Sequence, residues 1–83
     1  MKLQSDHKKM NQRIELDPEV CGGRPVIRGT RITVDTVLGY LSAGDGMEDV
    51  LEGHPNLTRD DVLACLEFAR RLSATHSVAL AAA

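Results

Sequence analysis

Twelve residues, Cys-Gly-Gly-Arg-Pro-Val-Ile-Arg-Gly-Thr-Arg-Ile from Cys21 to Ile32, set the strongest limit on how this 83-residue chain can fold. They hold three of its seven glycines, one of its three prolines and three of its ten basic residues. Glycine adds backbone freedom that a regular helix penalises, and proline fixes a dihedral and removes a donor. The stretch therefore reads as two tight turns around the apolar pair Val26-Ile27, with Arg24, Arg28 and Arg31 set about them. It divides a polar N-terminal segment from a region where apolar residues fall into helical spacing.

Length allows one small domain, and one Phe, one Tyr and no Trp make its core aliphatic. Such a chain buries only about 60 % of its unfolded surface, so self-association is an available source of further stability and a homodimer is expected. No apolar run approaches the roughly 20 residues of a membrane span, and no secretory segment is read. Cys21 and Cys65 are then expected as reduced thiols in a cytoplasmic protein.

Net charge is −2, divided unevenly. Residues 1–31 carry seven basic and four acidic side chains, whereas residues 32–83 carry three basic and eight acidic ones. The asymmetry implies different partners for the two halves, or one half serving the other in a neighbouring subunit.

Residues 1–12 lack periodicity and read as an N-terminal arm. From Arg13 to Leu16, Ile14 and Leu16 alternate with Arg13 and Glu15, the pattern of a short strand with one buried face. Asp17-Pro18 turns the chain, and Val26-Ile27 is the second strand of a loose β-hairpin. Thr33 caps a first helix over about 34–43, with Asp35 in its first turn, Ile32 and Val37 as a hydrophobic staple, and Gly44 as its stop. Val34, Val37, Leu38 and Leu41 form its inner face. A short second helix near 47–54 buries Met47, Val50 and Leu51. Its start is open between an Asp45/Glu48 capping box and Gly46 as the cap itself, and Pro55 ends it. Thr58 caps the third helix, with Asp61 at the third position and Leu57 and Val62 as the staple. Val62, Cys65, Leu66, Ala69 and Leu72 form a stripe to about Ser73, widened by Leu63 and Phe68. Residues 74–83 are an Ala-rich tail, expected as a frayed extension of the helix.

The expected fold is thus mainly α: an N-terminal β-hairpin followed by a three-helix helix-turn-helix unit over 13–73, homeodomain-like or winged-helix-like. The reading position of such a unit is the third helix, whose N-terminal turn would meet phosphates. There the charges oppose DNA, because residues 47–73 hold six acids against Arg59, Arg70 and Arg71. Asp60 and Asp61 would repel a groove unless they face away as caps. Arg24, Arg28 and Arg31 are better placed for phosphate, each offering a planar fork of donors. Their alternative use is to pair with the acidic half, within one subunit or across a dimer.

No nucleophile–base pair, metal-ligand spacing or nucleotide loop is present, so no catalytic residue, metal or cofactor is expected, and the chain does not read as an enzyme. A redox role for Cys21 in an enzyme's accessory subunit is the remote exception.

The run Ile14-Glu-Leu-Asp-Pro-Glu-Val-Cys-Gly-Gly-Arg-Pro-Val-Ile-Arg-Gly-Thr-Arg-Ile32, followed by Ala43-Gly44, Val50-Leu51 and Pro55-Asn-Leu-Thr-Arg-Asp-Asp-Val62, resembles the bacterial family catalogued as domain of unknown function 433. The resemblance covers about residues 13–73. Gly46 stands where a Ser or Thr cap would be usual, and His54 where an aromatic is common. The resemblance implies a β-hairpin and helix-turn-helix domain that looks like the antitoxin half of toxin–antitoxin pairs, often beside a PIN-like ribonuclease toxin. It implies no catalytic residues. The expectation is an antitoxin-like protein that neutralises a PIN-like toxin and, as a dimer, binds its own operator DNA. Arg24, Arg28, Arg31 and Arg59 are the candidate DNA contacts, and Leu63, Phe68, Arg70 and Arg71 the candidate partner contacts. The alternative is a protein-interaction module on a helix-turn-helix scaffold, without DNA binding.

Overall fold

A computed structural model describes residues 12–82, with side chains described as far as Ala74. All but the last residue of the expected N-terminal arm lies outside the described residues.

Strands β1 (Ile14–Glu15) and β2 (Val26–Ile27) pair antiparallel, Ile14 opposite Ile27 and Glu15 opposite Val26. The ladder is extended where the Arg28 N–H donates to the Arg13 carbonyl at 2.7 Å. On its other edge β2 meets the entry to the first helix, through a bridge between Val26 and Thr33 and a bond from the Val34 N–H to the Pro25 carbonyl, 2.9 Å. β2 is therefore held on both sides, and Val26 and Ile27 are both buried. The strand expected over 13–16 stops at Glu15. Leu16 is 66 % exposed, because the chain leaves the ladder there for the turn at Asp17, whose carboxylate accepts the Glu19 N–H at 2.9 Å.

Three helices follow: α1 (Val34–Ser42), α2 (Met47–Gly53) and α3 (Arg59–Ala82). Their order and the hairpin before them are those expected. At the start of α1 the Thr33 hydroxyl accepts the Thr36 N–H, 3.1 Å. At its end Gly44 takes a φ of 107°, a conformation that favours glycine. The Asp45 N–H reaches back to the Tyr40 carbonyl and the Gly44 N–H to the Leu41 carbonyl, both 3.1 Å, which is the bond pair of a Schellman stop. For α2 the open choice resolves to Gly46 as the cap: its N–H donates to Asp49 Oδ2 at 2.8 Å, half of a capping box that needs no cap side chain. For α3 the box is complete. The Asp61 N–H donates to Thr58 Oγ1 at 3.2 Å, and the Thr58 N–H donates to Asp61 Oδ2 at 2.9 Å.

The core gathers Ile27 from β2, Val34 and Val37 from α1, Val50 from α2, and Leu57, Val62 and Cys65 at and within α3. Ile14, Ile32, Leu38, Leu41, Met47, Leu51 and Phe68 pack around it. Two members of the expected α3 stripe are exposed, Leu66 at 43 % and Leu72 at 46 %, and Ala69 is only half-buried. Leu66 lies about 100° round the helix from Cys65, at the edge of the buried face, whereas Ala64 and Phe68 lie to its other side. Leu72, seven residues past Cys65, lies on that face but beyond the end of the core it would pack on. The helix itself runs to Ala82, further than the expected Ser73, in keeping with the high helix propensity of alanine. Among the described residues, no helix is long and apolar enough to cross a membrane.

Cys65 is fully buried. Burial, and secondarily the nearby Asp61 carboxylate, push its thiol up to about 12, so it stays protonated and unreactive in the folded chain. An unfolded thiol ionises near 8.5. The folded state therefore holds this proton where the unfolded state releases it, and the contribution is full below that pH and lost as pH rises toward 12. A thiol-alkylating reagent is expected to add one label per native chain, at half-buried Cys21, and two after denaturation, as read by mass spectrometry; native labelling of Cys65 would contradict this packing.

Candidate nucleic-acid and partner interface

The segment that carries Arg24, Arg28 and Arg31 is built from two turns. In the first, Cys21–Gly23 forms a single 3-10 turn, closed by bonds from the Gly23 N–H to the Val20 carbonyl (3.0 Å) and from the Arg24 N–H to the Cys21 carbonyl (3.3 Å). Cys21 itself has a φ of 50°, a left-handed conformation that costs a non-glycine residue about 1 kcal/mol. Its thiol donates to the Arg31 carbonyl at 3.4 Å and so ties the first turn to the second. In the second turn the Thr30 N–H donates to the Ile27 carbonyl at 3.0 Å, with Gly29 at φ 80° in the third position, as a type II turn requires. Thr30 braces it twice more, its hydroxyl donating to the Ile27 carbonyl (2.7 Å) and accepting the Ile32 N–H (2.9 Å).

These turns leave the three guanidinium groups on the outside. Arg24, Arg28 and Arg31 are exposed, and none has an acidic partner among the described residues. Pairing with the acidic half does occur, but through Arg13, which sequence reasoning did not single out. Arg13 Nη1 donates to Asp61 Oδ1 at 2.9 Å, and Nη2 lies 3.6 Å from Asp60 Oδ2. Asp61 is 8 % exposed and has both oxygens occupied, one by its cap bond and one by Arg13. Of the two acids that stood against a DNA-facing α3, Asp61 is thus turned to the hairpin, whereas Asp60 lies beside Arg13 with its side chain 65 % exposed. Arg28 stands across an open cleft of about 340 Å³ from this pair, with Gln12 at its rim. Arg59, the first residue of α3, is exposed beside Asp60.

The candidate partner contacts are placed differently. Phe68 packs against the core and is used within the chain, whereas Leu63 is half-buried outside the core cluster. Arg70 and Arg71 clamp Glu67. Arg70 does so through two parallel bonds, Nε to Oε1 at 3.0 Å and Nη2 to Oε2 at 2.9 Å, and Arg71 through Nε to Oε2 at 3.0 Å. The bond to Glu67, and then its charge, raise the Arg70 pKa further above its ordinary value. On the far side of the helical half, the Tyr40 and His54 rings meet at 5.5 Å between centroids, tilted by 49°. Among the described residues, no group of three or more His, Cys, Asp or Glu side chains is placed to hold a metal ion.

Similarity to known proteins follows the same architecture. A crystal structure of a DUF433 member protein from Anabaena variabilis superposes with a TM-score of 0.70 at 30 % identity, covering 96 % of this chain and 80 % of that one. The uncharacterized protein y4eO of Sinorhizobium fredii is 40 % identical over 45 residues, 54 % of this chain but only 20 % of the relative's length. Residues 14–69, from β1 through the packed part of α3, match the family described as protein of unknown function (DUF433). That match takes in both turns, all three helix starts and the Arg13-facing acids of α3, and with more than half its length inside it the chain belongs to the DUF433 family.

Proposed function

We propose that this protein is an antitoxin-like component of a toxin–antitoxin pair that binds a PIN-like ribonuclease and, as a dimer, its own operator DNA. The observation that supports the DNA part is the division of labour among the hairpin arginines. Arg13 pairs with Asp61 and lies beside Asp60 at the start of α3, offsetting one of their two charges, while Arg24, Arg28 and Arg31 stay exposed and without acidic partners among the described residues. Phosphate contacts supply most of the affinity of such a protein, and exposed arginines on braced turns are suited to make them. The acidic helical half, with exposed Asp35, Glu48 and Glu52, suits a basic ribonuclease surface.

A gel shift on the DNA upstream of the gene, repeated at rising salt, tests this reading. Reversing the charges of Arg24, Arg28 and Arg31 together is expected to weaken binding and to flatten the salt slope by roughly three, about one for each phosphate no longer neutralised. An unchanged slope would remove these residues from the interface, and no shift of wild-type protein at low salt would remove DNA binding altogether. The second reading is an interaction module alone, favoured by the surplus of acid along the helices. Co-purification with the neighbouring gene product, without any DNA affinity, would establish it.

A further inference from the structure

The end of α1 and the short helix α2 enclose a slot unrelated to the arginine turns. Tyr40, Asp45, Asp49, Val50, Gly53 and His54 line it, and its volume is about 180 Å³. Pockets for whole small molecules run from roughly 300 to 1,000 Å³, so this one is sized for a single long side chain. Its lining holds two carboxylates and no lysine or arginine. One Asp49 oxygen is occupied by the Gly46 N–H, whereas Asp45 makes no side-chain hydrogen bond or ion pair among the described residues. Tyr40 is 41 % exposed, and His54 covers its ring only obliquely. The Schellman stop at Gly44 and the Asp49 cap fix both rims of the slot before anything enters it. A preformed recess with an open aromatic ring, two acids and an apolar floor at buried Val50 is complementary to a flat, charged guanidinium on an apolar stem.

We infer that this slot receives one arginine side chain of a protein partner, its guanidinium against the Tyr40 ring and paired with Asp45 and Asp49. The inference rests on the proposed docking of a basic protein on the acidic helical half. It adds where that docking is anchored.

The slot can be tested without the partner. The full-length protein, observed through its backbone amide resonances, is titrated with the capped tripeptide Gly-Arg-Gly, with its lysine counterpart, and with its citrulline counterpart, which keeps the shape but not the charge. Saturable shifts confined to Tyr40, Asp45, Asp49, Gly53 and His54 are expected with arginine, with weaker ones for lysine and none for citrulline. Tyr40→Leu and Asp45→Asn alter exposed side chains and should each weaken arginine binding about 2- to 5-fold with the spectrum otherwise retained. No saturable shift, equal binding of citrulline, or shifts centred elsewhere would overturn the inference. A co-purifying partner that binds Tyr40→Leu as tightly as wild type would also overturn it, while leaving the antitoxin-like reading in place. Arginine binding at the slot without any basic protein partner would overturn the antitoxin-like reading and, with it, the occupant named here.

Discussion

Replacing Asp61 by alanine is expected to lower stability by roughly 2–4 kcal/mol, from the loss of two bonds to a charged acceptor and of a carboxylate in the first turn of α3. Asp61 is where the two halves of the molecule meet. One oxygen closes the capping box with Thr58, and the other takes Arg13 from the hairpin. Because the Arg13 side chain is 37 % exposed, solvent screens the pair and the lower part of the range applies to that bond. A domain of this size has a total stability of only about 4–12 kcal/mol, so the melting temperature should fall by roughly 10–25 °C. Asp61→Asn keeps an oxygen for the Thr58 N–H and should recover part of the loss. Arg13→Ala should cost less, about 1–2 kcal/mol, since Asp61 keeps its cap bond. Thermal melts of the two alanine variants and their double mutant decide the matter. Losses that add to within about 0.5 kcal/mol would show that the pair does not couple hairpin to helix.

Ile27→Ala is expected to cost about 3 kcal/mol or more, within the 2–5 kcal/mol usual for an isoleucine cut back to alanine in a core. Ile27 is 1 % exposed, lies opposite Ile14 in the ladder, and has its backbone bonded to Ile32 and Thr30. Its side chain is β2's only member of the central cluster, so the cavity would open where hairpin and helices join. Ile27→Val should lose only about 0.5–1.5 kcal/mol, as it removes one methylene. The measurement is a urea midpoint. A lower midpoint at unchanged slope is the expected result, whereas a changed slope would mean that the variant alters the compactness of one of the two states. A loss below about 1 kcal/mol would show that the hairpin does not share the helical core.

The caps and turns of this fold are legible in the order of residues. Thr33, Thr58 and Gly44 act on backbone groups a few positions away, and such short-range bonds leave the same signature in any tertiary setting. The start of α2 is not legible, because either Asp45 or Gly46 satisfies the local rules and only the position of Asp49 decides between them. The stripe of α3 is legible in type but not in aim. Periodicity marks the apolar face, but the depth of the core decides how far along the helix that face is covered. Hence Ala64 is buried and Leu72 exposed, though leucine is the more apolar of the two.

For the candidate interface the division is similar. Glycines and proline in Cys21–Ile32 required turns around Val26-Ile27, and the arginines beside them had to sit near those turns. Which basic residue answers the acids of α3 could not be read from spacing, because the Arg13–Asp61 bond spans 48 residues and depends on the register of β1 against β2. The slot at Tyr40 and His54 likewise needs the bend between α1 and α2 to bring its walls together. The presence of the helices, the caps at Thr33 and Thr58, the stop at Gly44 and the turn region were thus settled by residue order, since each depends on neighbours in the chain. Packing in three dimensions was needed to engage Arg13 while leaving Arg24, Arg28 and Arg31 without acidic partners among the described residues, because long-range charge pairing follows from which surfaces meet and not from order along the chain.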